Sequence, residues 1–521
     1  MNSESEHTKS TFKNALIYSS ASILGKAVGF IMLPIYAHYL RAEGYGIISM
    51  IDIVISMLAL FIGYGLSGAF RRLYFEKETK ETKNIFVSTN IILMFILVSI
   101  TSIPALLFNE QIAYLAFGQE DLGLYMVLGI LMFVAETTGN NAENYILIRQ
   151  KSILYSLLAI SKLVTSLSLS IYFIVFLKMG VLGYLLADFT TSSVFSLIKH
   201  GYVFINVGFN FNVHDMKSIL RFSLPIVPAY MFFFIKNNAD RIILRNFLGL
   251  TQLGVYHMLL KFVTLIVVFI TEPFMKSWDI KRFEVCDNPD AKYFMSRMFT
   301  YYMALLMTLG LILSLVIPIL LRVLTPNEFW ISGNITLIAV FSRIVLDAYP
   351  HFSFGILYSK LTYKISIIQF ISALTSIVLS YVLIKNYGLI GAVTSSLLVN
   401  IIQCTIAYIL AKKHYIIPFE WCKLLVMCLL MITSFFLINQ VSLEKLDYGK
   451  NLFEALSGAL LFVLCEFKAF EIANGVDVAS LTIKIALIVE AFIKFLLSCS
   501  FFIMLPFLGI VPKGIFAIKK S

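Results

Sequence analysis

The chain has 521 residues, of which 59% are hydrophobic and only 14% charged, with a mean hydropathy of +0.87. A typical globular chain carries about 25% charged residues, and a soluble protein of this length could not hold so apolar a surface in water without aggregating. The composition therefore excludes an ordinary soluble protein, and the net charge of +11 reads as cations near acidic lipid headgroups rather than as a nucleic-acid surface.

Residues 1–13 are polar and Ser-rich. The apolar run after them extends to about Tyr39, too long for a signal-peptide core and followed by no clear cleavage site, so it reads as a retained first span. A span needs about 20 mostly apolar residues. That criterion predicts spans near 14–39, 46–70, 85–108, 123–147, 153–177 and 180–205, and a second set near 219–245, 251–275, 298–322, 332–357, 364–384 and 387–411. Two more are predicted near 420–440 and 485–511. The stretch 441–484 is ambiguous, because residues 451–465 are apolar enough to dip into a membrane. Lys513, Lys519 and Lys520 nonetheless favour an inner C-terminus and fourteen spans over fifteen.

Cationic loops orient such a bundle. With the N-terminus inside, 25 of the 41 Lys and Arg residues fall on the inner side and 8 on the outer. The inner set includes five in 71–83, three in 199–221, five in 276–297, Lys360 with Lys364, and three in 412–423. The cysteines, Cys286, Cys404, Cys422, Cys428, Cys465 and Cys499, are scattered and show no metal-ligand or disulfide spacing. The seven histidines are equally dispersed; His351 reads as a packed or interfacial ring. No cofactor or metal is implied.

The sequence matches itself at a constant offset of 208 residues. Leu40 meets Leu248, Gly46 meets Gly254, and Phe75-Glu76 meets Phe283-Glu284. Ile148 meets Ile356, Tyr155 meets Tyr363, and Gly180-x-x-Gly183 meets Gly388-x-x-Gly391. An even number of spans per repeat places both repeats the same way up, an arrangement that in transporters puts the substrate site between lobes. The expected fold is all-α and polytopic: a six-helix lobe at 1–205, a second at 206–415, and about two extra helices in 416–521.

Ionisable groups inside spans are costly and mark pathways by default. Lys236 with Asp240, Glu272 with Lys276, and Arg343 with Asp347 lie four apart on one helix and can neutralise each other. Lys26, Lys162 and Lys261 have no acid at that spacing and must find an interhelical partner, water or an anionic ligand. Lysine serves phosphate as a compact point charge. The most polar stripe is Glu136, Asn140, Glu143 and Asn144, a candidate wall for sugar hydroxyls or a coupling ion, against the plainer reading of helix–helix packing. Asp52 and Asp188 are also locally unpaired: each is a candidate for substrate binding or for proton or sodium coupling, against the plainer reading of a bridge to a lysine across helices.

Two passages carry a family resemblance. Pro34-Ile35-Tyr36-Ala37-x-x-Leu40-x-x-x-x-Tyr45-Gly46 resembles the first-hairpin signature of polysaccharide exporters. Asp240-Arg241-Ile242-Ile243-Leu244, then Phe247-Leu248-Gly249 and Leu253-Gly254-Val255-Tyr256, resembles their seventh and eighth helices. With the 6+6+2 layout, the chain is similar to the Wzx-type O-antigen and capsule flippases of the multidrug/oligosaccharidyl-lipid/polysaccharide exporter superfamily. The resemblance covers the first twelve spans and hardly touches the last hundred residues. It implies a bacterial inner-membrane protein that flips an undecaprenyl-diphosphate-linked oligosaccharide, working beside a polysaccharide polymerase and chain-length partners. Lys26, Lys162, Lys261 and Arg241 are then the candidate diphosphate contacts, and Asp240 joins the candidate sugar or ion contacts.

Two other functions compete. A cation-coupled drug antiporter of the same superfamily would need an acid-dominated cavity, whereas here lysines stand among the acids. A membrane-embedded polysaccharide polymerase or glycosyltransferase would carry catalytic residues on a sizeable loop, but the outer loops before 441 are short, that between the third and fourth spans offering only Asn109, Glu110, Glu120 and Asp121. There is no DxD pair for sugar-nucleotide chemistry and no phosphate-cradling GxxxxGK[ST] loop.

Overall fold

The computed structural model describes residues 28–30, 32–60, 62–119 and 121–439, with Gly25 and a few helical positions between 491 and 498. The segment 441–484, most of the spans predicted at 14–39 and 485–511, Lys26 and Glu120 lie outside the described residues. The fold is an all-helical polytopic membrane fold, and ten of its described helices are long and apolar enough to cross a bilayer. In hydrocarbon only an intact helix satisfies each N–H and C=O within its own segment, so each apolar run becomes one long helix and breaks occur at few points.

Compactness divides the chain at Gly254. The first unit contains α1 (Leu33–Leu60), α2 (Gly63–Phe75), α3 (Lys80–Leu107), α4 (Asn109–Phe117) and α5 (Gly123–Ile148). It continues with α6 (Ser152–Ile171, prolonged by a π turn at Tyr172–Phe176), α7 (Gly180–Val207), α8 (Val213–Ser223) and the start of α9 (Val227–Val263). Two of the starts are written in side-chain chemistry. Thr79 and Thr82 each donate a backbone N–H to the other's hydroxyl at the head of α3, and Asn212 accepts from the His214 and Asp215 N–H groups at the head of α8. The apolar core gathers Phe70 and Tyr74 of α2, Phe86 and Met94 of α3, Phe133 and Tyr145 of α5, Val203 of α7 and Ile219 of α8. Asp215 of α8 accepts from Lys77 at 2.5 Å, which ties this short helix to the α2–α3 turn.

The second unit contains α10 (Glu272–Val285), α11 (Ala291–Leu324), α12 (Gly333–Phe352), α13 (Phe354–Tyr358), α14 (Tyr363–Ala411) and α15 (Trp421–Asn439). Rings of Phe299, Phe352, Tyr408, Phe419 and Trp421 pack together, the Phe352 and Trp421 rings stacking at 5.9 Å. Glu420, just before α15, accepts from Lys423 (2.6 Å) and from the Thr300 hydroxyl (2.7 Å).

The offset of 208 recurs in local geometry. Arg41 breaks α1 with φ 59° and ψ 177°, and Gly249 breaks α9 with φ 80° and ψ −179°; for Arg41 this backbone region is one that only glycine enters freely. Gly180 and Gly388 are likewise both left-handed, at φ 56° and 59°. Ser88 accepts from the Asn210 N–H (2.9 Å), while the equivalent Ser296 donates to the Pro418 carbonyl (2.5 Å). Proline lacks an N–H, so the same contact is kept with donor and acceptor exchanged.

Gly46 and Gly254 explain their own presence. A Cβ on Gly46 would lie 2.0 Å from the Leu250 carbonyl oxygen, and one on Gly254 would lie 1.7 Å from that of Ala42. The obstacle is backbone, which no rotamer change can move. Gly254→Val is therefore expected to lower the unfolding temperature of the detergent-solubilised protein by several degrees or prevent its accumulation, a cost at or above the roughly 1–3 kcal/mol of ordinary overpacking. Gly68→Ala, where a Cβ meets open space, should leave it unchanged.

The Glu420 carboxyl is held below the ordinary glutamate range: burial pushes it up, but the Lys423 and Thr300 hydrogen bonds outweigh that. A depressed carboxyl contributes stability that is present above its unfolded pKa and lost as pH falls through the folded one. Melting followed from pH 7 down through the glutamate range (about 4.3 for a free side chain) should show a decline that is smaller in Glu420→Gln.

Candidate functional site

The first unit carries a wall of polar groups contributed by four helices. On α5, Glu136 and Asn140 are exposed although they sit mid-helix in an apolar span. Carbon chains of lipid cannot satisfy such groups, so this side of α5 calls for water or a polar neighbour. Glu136 Oε1 stands 3.8 Å from Lys162 Nζ of α6, with the two side chains 48% and 30% exposed. Lys162 thus has its partner on a neighbouring helix.

One turn further along α6, the Ser166 hydroxyl donates to Asp188 Oδ1 of α7 at 3.1 Å. Tyr184, Glu136 and Lys162 lie within electrostatic reach of the same carboxylate. Tyr184 also feels Asp52 of α1, and its ring meets Tyr36 edge-on at 5.6 Å. The Tyr36 hydroxyl also lies within electrostatic reach of Asp188. Asp52, Glu136 and Asp188 are thereby gathered around two phenols and one lysine.

Further along α5, Glu143 forms an ion pair with Lys199 of α7, whose side chain is 7% exposed. Lys199 was expected among the inner-side loop cations; it is buried within α7 because Glu143 is there to receive it. Asn144 is buried and donates to the Asn140 carbonyl at 3.3 Å. On the other side of α5, Asn141 accepts from Asn90 (3.0 Å) and Thr138 meets Ser196 (3.2 Å), the kind of polar contact that joins helices in hydrocarbon.

Of the other predicted residues, Asp240 is buried and accepts from the Arg241 backbone N–H at 2.8 Å. Arg241 is half-buried on α9, and Lys261 lies exposed on the part of α9 in the second unit. Arg343 and Asp347 of α12 form the same-helix pair expected of them, at 2.7 Å, and Asp347 also accepts from Thr271 at 2.8 Å. His351 is a packed ring, buried among Phe274, Trp278, Phe299 and Tyr302. Among the described residues no cluster of His, Cys, Asp and Glu is arranged to hold a metal ion. Tyr184 was not singled out from sequence, Tyr36 only as part of the family signature and Lys199 only as an inner-side cation. Tyr184 lies four residues before Asp188, so its spacing was the available signal.

A family model described as polysaccharide biosynthesis protein matches residues 11–278, about half of the chain. The chain belongs to that family. It is a family of transporters, not of enzymes. The Lsg locus putative protein 1 of Haemophilus influenzae (strain ATCC 51907 / DSM 11121 / KW20 / Rd) is 26% identical over 249 residues, 47% of this chain and 60% of that relative, so the match spans less than two thirds of its length. Among solved structures, the lipid II flippase MurJ in an inward closed conformation superposes with a TM-score of 0.71 at 15% identity, covering 95% of this chain and all of MurJ. A multidrug resistance MATE transporter of the MOP superfamily, inward-facing, gives 0.58 at 16% identity over 76% of this chain and 94% of its own. These two likenesses establish the fold.

The two ion pairs of α5 separate by burial. Removing the partner of a buried charge costs about 3–5 kcal/mol, whereas partly exposed pairs contribute about 1 kcal/mol or less. Glu143→Ala is therefore expected to destabilise the protein strongly in thermal unfolding, with Lys199→Met restoring much of the loss. Glu136→Gln should leave unfolding almost unchanged.

Proposed function

We propose that this transporter flips an undecaprenyl-diphosphate-linked oligosaccharide from the inner to the outer leaflet of a bacterial inner membrane by alternating access, for O-antigen, capsule or exopolysaccharide synthesis. In this reading 1–205 and 206–415 are the moving lobes, 416–521 supplies the extra helices, and the N-terminus is cytoplasmic. A polysaccharide polymerase and a chain-length protein would act on the product beside it.

The observation that carries the reading is the exposed polar side of α5. Glu136 and Asn140 offer acceptors and donors suited to sugar hydroxyls, and Lys162 adds a cation that a diphosphate can share. Family membership and the flippase named in the MurJ structure support it. Lys26, Lys261 and Arg241 remain proposed diphosphate contacts. Glu143 and Asn144 are proposed to hold the sugar-facing side of α5 in place, and Asp240 to orient Arg241. Asp52 and Asp188, both within electrostatic reach of Tyr184, are proposed to take the coupling proton or sodium ion. The same acids favour one second reading, a cation-coupled drug antiporter.

Deletion in the native cell followed by extraction of polyprenyl-linked sugars separates the two. A flippase predicts lost surface glycan and repeat units accumulating on the inner leaflet. Unchanged glycan with altered drug sensitivity would establish the antiporter instead. In complementation, Lys162→Ala and Lys261→Ala should each reduce export about tenfold or more at normal membrane abundance, the scale of one lost charge-assisted phosphate contact. Full export by both variants would remove the diphosphate assignment.

A further inference from the structure

Both ends of α14 carry lysines with no matching acid. Lys360 lies in the turn before it and Lys364 in its first turn, with Lys412, Lys413 and His414 directly after it. Lys364 Nζ meets His414 Nε2 at 2.7 Å, which places the two turns side by side. A lysine ammonium only donates, so the ring nitrogen accepts and neither group brings negative charge to the other. Residues 359–364 and 412–419 contain no Asp or Glu. Glu420, which follows, is already engaged by Lys423 and Thr300, and Asp287 accepts from Tyr358 at 2.9 Å.

The internal repeat supplies a control. At an offset of 208, the five basic positions correspond to Ser152, Ser156, Phe204, Ile205 and Asn206. None of those five places carries a cation in the first copy, whose own cations, Arg149 and Lys151, stand just before Ser152. The lysines are thus not required at these places by the turns themselves, and with no acid among them they present a concentrated positive patch. Around them Tyr363, Ile416 and Trp421 are 60%, 62% and 49% exposed. Exposed Tyr and Trp beside lysines form the interfacial belt of a membrane protein, where ring bodies sit at headgroup level, and clustered cations next to a span attract acidic headgroups.

We propose that Lys360, Lys364, Lys412, Lys413 and His414 bind the phosphate headgroup of an anionic phospholipid in the leaflet they face, with Tyr363, Ile416 and Trp421 resting in the interface beneath it. Trp421 stands next to the cluster and reports on it. The full chain carrying Trp330→Phe, so that Trp421 is the exposed tryptophan (Trp278 is buried), is placed in phosphatidylcholine nanodiscs with brominated phosphatidylglycerol or brominated phosphatidylcholine as quencher. The acidic lipid should quench at about tenfold lower mole fraction than the neutral one, and the preference should fall as salt is raised from about 50 to about 500 mM. It should vanish in Lys360→Gln/Lys364→Gln/Lys412→Gln/Lys413→Gln and persist when the same four are changed to Arg. Equal quenching by the two lipids in the parent chain, or a preference untouched by the Gln substitutions, overturns the proposal. So does loss of the preference on adding inorganic pyrophosphate at a concentration that leaves ionic strength unchanged, which would make this a soluble-anion site.

Discussion

The first unit depends on backbone meeting backbone. Gly46 is placed where any side chain would strike the Leu250 carbonyl, and Gly254 where it would strike that of Ala42. Ala42 and Leu250 are themselves 208 residues apart, so each position meets the counterpart of its own neighbour. Such reciprocity is what two copies of one hairpin produce when they cross at a single point. Without the water-driven burial that packs soluble cores, helices in lipid gain contact by close approach across small residues. This crossing takes that principle to its limit, and it places the second half of α1 and the start of α9 relative to each other within the unit.

A second constraint follows from the solvent. A bilayer does not satisfy a carboxylate, so an acid within a span must be paired or wetted. α5 shows both outcomes within two turns. Glu143 turns toward α7 and is matched by buried Lys199, while Glu136 remains half exposed with Lys162 at the edge of hydrogen-bonding range. The first is an arrangement that holds helices together. The second leaves charge accessible, and accessible charge within a span is the resource a transporter needs. The helix thus divides along its length into a structural pair and an available one, a division decided by which neighbouring helix each residue meets, α7 for Glu143 and α6 for Glu136.

Much of this was legible beforehand, for physical reasons. Span positions follow from runs of about 20 apolar residues, and the repeat was visible because glycines at turns tolerate no substitute: Gly46, Gly180, Gly249, Gly254 and Gly388 mark φ values or approaches unavailable to other residues. Arg41 shows the limit of that signal, since it adopts the conformation of its counterpart Gly249 without being glycine. Partners across helices were not legible. The spacing along α6 showed that Lys162 lacked an acid of its own, but which of Asp52, Glu136, Glu143 and Asp188 it would meet depends on the rotation of α5 and α7 about their axes. Lys199 was misplaced for a related reason: a lysine near a helix end reads as a loop cation until its buried partner is seen.

The repeat also discriminates between charges that build the fold and charges that serve it. Where a contact recurs with different residues, as Ser88 with Asn210 and Ser296 with Pro418, the fold requires the contact and finds whichever donor is at hand. Where one copy carries cations and the other carries Ser152, Ser156, Phe204, Ile205 and Asn206, the fold evidently requires none. The same comparison applies to α5 and α12: Glu136, Asn140 and Asn144 correspond to Ile344, Ala348 and Phe352. The second copy thus builds this helix with apolar residues at those three places, so the polarity of α5 is not a cost of the architecture. At those three places the polarity belongs to one copy only, whereas α12 has its own polar pair, Arg343 and Asp347, closed on itself within one helix.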